Sequence, residues 1–166
     1  MPRLRTIELH RIVSGGQTGV DRGALDAALE RGFPCGGWCP DGRLAEDGPL
    51  PERYPLTELP GGAYADRTEA NVRDSDATLI LTPREPEGGT RLTRASCEHL
   101  GRPCLTIEFP PDQVLTETVE HALPRLRAFL SEAGAQTLNV AGPRASEWHE
   151  AYHAGRSMVS RLLEVI

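Results

Sequence analysis

Residues 12–29 read IVSGGQTGVDRGALDAAL. A short apolar strand enters two glycines and a polar turn, and a helix follows. This order commits the chain to a βα unit, whose strand has to find parallel neighbours and a helical cover. The rest of the sequence repeats the alternation. TIELHRIV (6–13) reads as the first strand, and the helix after the turn runs from Val20 to Arg31, closed by Gly32. FPCGGW (33–38) is a short second strand, YADRTEANVRDSD (64–76) a helix, and ATLILTP (77–83) an apolar strand ended by proline. A helix over 91–101, a strand over 102–109, a helix over 114–133, a strand over 136–142 and a last helix over 146–166 complete the pattern, with Ser146 as expected N-cap. The connection 39–62 is too long for a plain turn. It is a functional loop or conceals a short strand at YPLTEL.

The expected architecture is α/β: one Rossmann-like domain over residues 1–166, three layers, with an open and mostly parallel sheet. A chain of 166 residues suits one domain with a proper core. In such folds ligands bind at the carboxyl ends of the strands, near a switch in strand order. Those ends carry SGGQTGVD, CPDGR, PREPEGGT, EFPP and AGPRAS, which gather glycine turns and arginines at one edge.

The first turn matches G-x-G-x-x-G imperfectly, because Ser14, Gly16 and Gly19 fall at the three key positions. Its glycines, with Gly15, let backbone N–H groups approach a phosphate at the helix N-terminus. A nicotinamide site also needs an acidic residue ending the second strand, and that strand ends in Trp38. Gln17, Thr18 and the adjoining Arg22 add polar groups. Asp21 in the first helical turn either complements the helix dipole or accepts a hydrogen bond from a ligand hydroxyl or ring N–H. A second glycine turn, Gly88-Gly89-Thr90, opens another helix, with Thr93 one turn on; Arg144 follows the last strand and is aimed by Pro143.

All 18 basic residues are arginine, which excludes a P-loop lysine and a lysine Schiff base. The net charge of −6 argues against non-specific nucleic-acid binding. Apolar runs are too short to span a membrane and MPRLRTIELHR has no apolar signal core, so a cytoplasmic protein is expected. The spacings of Cys35, Cys39, Cys97 and Cys104 fit neither a zinc ribbon nor a redox C-x-x-C. HEAYH (149–153) is a literal H-E-x-x-H, but Arg156 stands where the extended motif has glycine, and Glu164 is the only later candidate ligand. It is read as part of an amphipathic end helix, with no metal site. No G-x-S-x-G is present.

The stretches SGGQTGVDRGALDAAL, GGWCPDGRLAEDGPLPERYPLTEL, RTEANVRDSDATLIL, GGT and NVAGPRAS together resemble the molybdenum carrier (molybdenum cofactor carrier) family, related to the LOG, or lysine decarboxylase-like, nucleotide-binding superfamily. The resemblance implies homo-oligomers, dimers or tetramers. It also implies a ligand joining a phosphate to a fused-ring or nucleoside part, such as molybdenum cofactor (molybdopterin) or a nucleotide. The turn around Gly15, Gly16, Thr18 and Gly19 would hold the phosphate. The related phosphoribohydrolases carry P-G-G-x-G-T-x-x-E. Here the run is GGTRLT, with Thr93 at the glutamate position, so the expected acid/base group is missing. The expectation is a carrier rather than an enzyme. The alternative is binding or processing of a nucleotide or ADP-ribose-like ligand, with Glu46, Asp47, Glu85 or Glu87 supplying a base.

Overall fold

The computed structural model describes residues 6–166. Five parallel strands form the main sheet: β1 (Arg11–Val13), β2 (Cys35–Gly36), β7 (Ala77–Thr82), β8 (Cys104–Glu108) and β9 (Thr137–Ala141), in the order β2-β1-β9-β7-β8. Five helices accompany them: α1 (Val20–Glu30), α2 (Tyr64–Arg73), α3 (Gly88–Leu100), α4 (Leu115–Ala133) and α5 (Ala151–Val165). This is the expected three-layer Rossmann-like arrangement. Among the described residues no helix is long and apolar enough to cross a membrane.

The two faces of the sheet differ in chemistry. Side chains alternate along a strand, so β7 sends Leu79 and Leu81 to one side, and Thr78 and Ile80 to the other. Leu79 and Leu81 join Ile12, Leu105, Ile107, Leu138 and Val140 in an apolar core with α1, α4 and α5. There α1 and α5 approach backbone to backbone. A Cβ on Gly23 would come within 2.1 Å of the Tyr152 carbonyl oxygen, and one on Gly155 within 2.3 Å of that of Val20. Only glycine permits this contact. The face toward α2 and α3 is smaller and more polar. Asn139 donates to the Thr78 hydroxyl at 3.3 Å, and Asn71, Thr93 and Ser96 are buried nearby in the chain's helices.

The long connection conceals two short pairings. β3 (Trp38–Cys39) pairs in parallel with β6 (Thr57–Glu58), within the anticipated YPLTEL stretch, and β4 (Leu44–Ala45) with β5 (Gly48–Pro49) makes a hairpin. A second, small core of Leu25, Cys39, Ala45, Leu50, Tyr54 and Leu56 ties this connection to α1. Two expectations need correction. β1 begins at Arg11 rather than at residue 6, since its pairing starts with Arg11 opposite Thr137, the first residue of β9, and β2 reaches only Ile12 and Val13. Ser146 does not cap α5, which starts at Ala151; its hydroxyl instead donates to Glu46 at 2.6 Å.

Candidate functional site

The chain leaves β1 toward β2, crosses to β7 and β8, and returns through β9 to the middle of the sheet. The turns after β1, β7 and β9 therefore open at the same edge, on either side of a change in direction. A cleft of about 500 Å³, counting its open mouth, lies there. Gly15, Gln17 and Asp21 come to it from the first turn, Arg67 and Asn71 from α2, Gly89, Thr90 and Thr93 from α3, and Asn139, Arg144 and Glu147 from β9 and the turn beyond. Two carboxylates and two guanidiniums line it, so its formal charge balances.

Asp21 and Arg67 form its floor. Both are buried, at 4% and 9% exposure. The Arg67 Nη1 group donates to Asp21 Oδ2 at 3.2 Å, and the same oxygen accepts the Gln17 backbone N–H at 3.2 Å. Asp21 thus holds the turn that precedes its own helix, and its side-chain partner comes from α2. Burial pushes its carboxyl above the usual range, against the opposing pull of Arg67. The guanidinium lies directly over Gly15, where a Cβ would fall 1.5 Å from Nη1. The first glycine of the turn is thereby explained by Arg67 rather than by a turn angle. The Tyr64 ring is near both cations, its centroid 5.9 Å from the Arg67 guanidinium carbon and 5.7 Å from that of Arg144.

A carboxylate clasps the rim. Glu46, in the hairpin turn, accepts the hydroxyls of Thr18 and Ser146 and the Ser146 N–H at 3.2 Å, with Arg144 at 3.9 Å. Burial would raise its pKa, but the hydrogen bonds from Ser146 and Thr18, with Arg144 nearby, hold it below the usual value. The Glu46 N–H in turn donates to Gln17 Oε1 at 2.9 Å. Beside it, Asp47 is held low by its hydrogen bond from Arg22, which also donates to the Gly16 carbonyl at 3.2 Å.

The anticipated residues thus separate into two groups. Gly15, Gln17, Asp21, Gly89, Thr90, Thr93 and Arg144 meet at the cleft. Ser14 is buried, Gly16 packs against Leu56 and Leu50, and Gly19 backs onto the Pro143–Ala145 turn. Thr18 and Arg22 are engaged with Glu46 and Asp47, and Gly88 starts α3 just outside the lining. Of the first turn's donors, Thr18 N–H goes to Gln17 Oε1 at 3.0 Å and Val20 N–H to the Pro143 carbonyl at 3.3 Å. The H-E-x-x-H spacing does not fall on one helix, because His149 and Glu150 precede Ala151. Among the described residues no three His, Cys, Asp or Glu side chains gather as a metal site would need.

The circularly permutated YpsA SLOG family matches residues 12–163. The chain belongs to that family. The SLOG assignment accords with the strand order, in which the last strand of the sequence occupies the middle of the sheet. A crystal structure at 1.45 Å of a protein from Syntrophus aciditrophicus SB, named "Putative molybdenum carrier protein", aligns with this SLOG chain at a TM-score of 0.87. The two are 42% identical, over 94% of this chain and 96% of that one. No curated protein matches.

Sequence reasoning missed Arg67, Asn71, Asn139 and Glu147 in this SLOG cleft. One signal was present. Arg67 and Asn71 share a helix face with Ala70, and that face is the buried one. Asn71 uses its amide to hold the β3 backbone, accepting the Trp38 N–H at 2.7 Å and donating to the Trp38 carbonyl at 2.9 Å.

Proposed function

We propose that this protein binds and carries a small molecule joining an anionic group to a fused ring, molybdenum cofactor (molybdopterin) first among them, without transforming it. The observation that carries this reading is the convergence of the turn after β1, the start of α3 and two arginines on one cleft at the sheet's switch point. The relative named a molybdenum carrier supports it, being 42% identical over nearly the whole chain.

The donor set suits such a ligand. α3 begins at Gly88 with no side-chain cap on its first amides, and a helix start of this kind favours negative charge. Thr90 lines the cleft beside it, and Arg144 is one-third exposed at the rim. The ligand's phosphate would be held by this group. An anion there competes with Glu147, which lies 3.2 Å from the Arg144 guanidinium.

The test is native mass spectrometry of the protein purified from a host that makes the cofactor, followed by release of the bound molecule and detection of its oxidised pterin by fluorescence. The expected result is a co-purified pterin phosphate, with occupancy lowered about tenfold by Arg144→Ala, the scale of one lost charge-assisted hydrogen bond. A nucleotide in its place would establish the alternative ligand and sink the carrier reading.

A further inference from the structure

The floor of the cleft contains two donor groups with nothing to donate to. Arg67 Nε and Gln17 Nε2 are both buried and without a hydrogen-bond partner, although buried donors are almost always paired. The orientation of the Gln17 amide is determined by its surroundings. Its Oε1 accepts two backbone N–H groups, from Thr18 at 3.0 Å and Glu46 at 2.9 Å. Reversing the amide would set its NH₂ against both, so the unpaired group is the NH₂. Each of these residues also touches the carboxylate between them. Gln17 N–H and Arg67 Nη1 both donate to Asp21 Oδ2. The floor therefore presents one acceptor flanked by two orphaned donors, all on residues that line the cleft.

The charges decide what complements that pattern. A phosphate on the floor would satisfy the donors but would face the Asp21 carboxylate, in a cleft whose formal charges already cancel. A neutral group avoids that repulsion and the cost of burying another charge. It must carry a donor for Asp21 and, beside it, an acceptor for Gln17 and Arg67. The cyclic amide edge of a fused nitrogen heterocycle carries these two groups side by side, as a ring N–H next to a C=O.

The geometry points to the Asp21–Gln17–Arg67 floor as the recognition site for the lactam edge of a 2-amino-4-oxo-pyrimidine ring, the edge shared by pterins and guanine. Asp21 accepts the ring N–H, and Gln17 Nε2 and Arg67 Nε donate to the ring carbonyl. This rests on the proposed function for its choice of cleft and deepens it. The ring lies inward on the floor, and the anionic end points outward past Tyr64 to Arg144 and α3. A site whose polar groups are left unpaired by the wrong ring rejects that ring strongly.

The experiment is titration of the purified full-length protein with pterin, guanosine and adenosine, followed by calorimetry and, for pterin, by fluorescence. Adenosine offers the reverse pattern, an amine beside an unprotonated ring nitrogen. Binding of pterin, guanosine or both, with adenosine at least about tenfold weaker, is the expected result; which of the two binds better identifies the source of the edge. Two variants preserve the neighbouring contacts. Gln17→Glu keeps an oxygen for Thr18 and Glu46 but replaces the donor by an acceptor. Arg67→Lys keeps a cation for Asp21 but removes Nε. Each should erase most of the preference while the thermal midpoint reports a folded protein. Equal binding of adenosine, no binding of any of the three, or full preference in both variants overturns the assignment. Inorganic phosphate, titrated into wild type and Arg144→Ala, tests the anionic end separately. Phosphate binding without lactam preference removes this inference and leaves the proposed function standing. Lactam preference with no contribution from phosphate does the opposite.

Discussion

Arg67 of α2 reaches across the cleft to Asp21 of α1, 46 positions earlier, and its guanidinium occupies the space that a side chain on Gly15 would need. One ion pair thus joins two helices that pack on different faces of the sheet and accounts for a glycine in a third place.

This pair is buried on both sides, so removing one member leaves a charge without compensation. Arg67→Met is expected to lower unfolding free energy by about 3–5 kcal/mol, and the double variant Arg67→Met with Asp21→Leu to recover most of that loss. Urea denaturation of Arg67→Met, Asp21→Leu and the double variant measures it. A double variant as unstable as the two single effects added together would refute the coupling.

The rim clasp should open in acid. Glu46 and Asp47 are both held below their ordinary values of 4.5 and 3.8. For carboxyls depressed on folding, the stabilisation is complete above the ordinary value and disappears as pH falls through the lower folded one. Amide hydrogen exchange in residues 44–49 should therefore accelerate as pH falls below 4.5 for Glu46 and further below 3.8 for Asp47, after correction for intrinsic rates. Glu46→Gln should exchange quickly at neutral pH. Equal protection on both sides of that window would show that the carboxylates do not hold the hairpin.

A second polar knot should resist alkali. The hydroxyls of Tyr54 and Tyr152 donate to opposite oxygens of Asp26, at 2.8 and 2.6 Å. Burial, with that carboxylate beside them, pushes both phenols up to about 12. Groups raised on folding contribute fully below their ordinary value of 10.0 and lose that contribution as pH climbs through about 12. An ultraviolet titration should show two late tyrosinates, one lost in each of Tyr54→Phe and Tyr152→Phe. Tyr54→Phe should also cost about 1.5–3 kcal/mol, the range for a hydrogen bond to a charged group. Two early titrations instead would exclude the arrangement.

The sheet was legible because its strands are local features. ATLILTP reads as a strand buried on both faces, and it forms β7 with every residue buried. The place of the first turn at the edge of the sheet was legible for the same reason, since its glycines stand between a strand and a helix, and Gly15 and Gln17 line the cleft there. Its inner organisation was not. Thr18 and Arg22 look like ligand donors in the sequence, yet Glu46 and Asp47, some 25 residues onward, engage them. Arg67 was hidden among 18 arginines, and its partner Asp21 belongs to another helix. Pairings of this kind depend on how helices are brought together, which periodicity along one helix does not encode.

The central place of β9 has a consequence for how the protein is made. As the ribosome releases the chain, β1 with β2 and β7 with β8 emerge first, as two separate pairs with a gap between them. The strand that fills the gap is the last of the sheet to leave, and it carries Asn139 and leads directly to Arg144. A nascent chain halted before residue 137 would hold most of its sequence outside the ribosome and still have no continuous sheet. The cleft is therefore assembled after the rest of the sheet: it exists only once the two halves have been joined by β9.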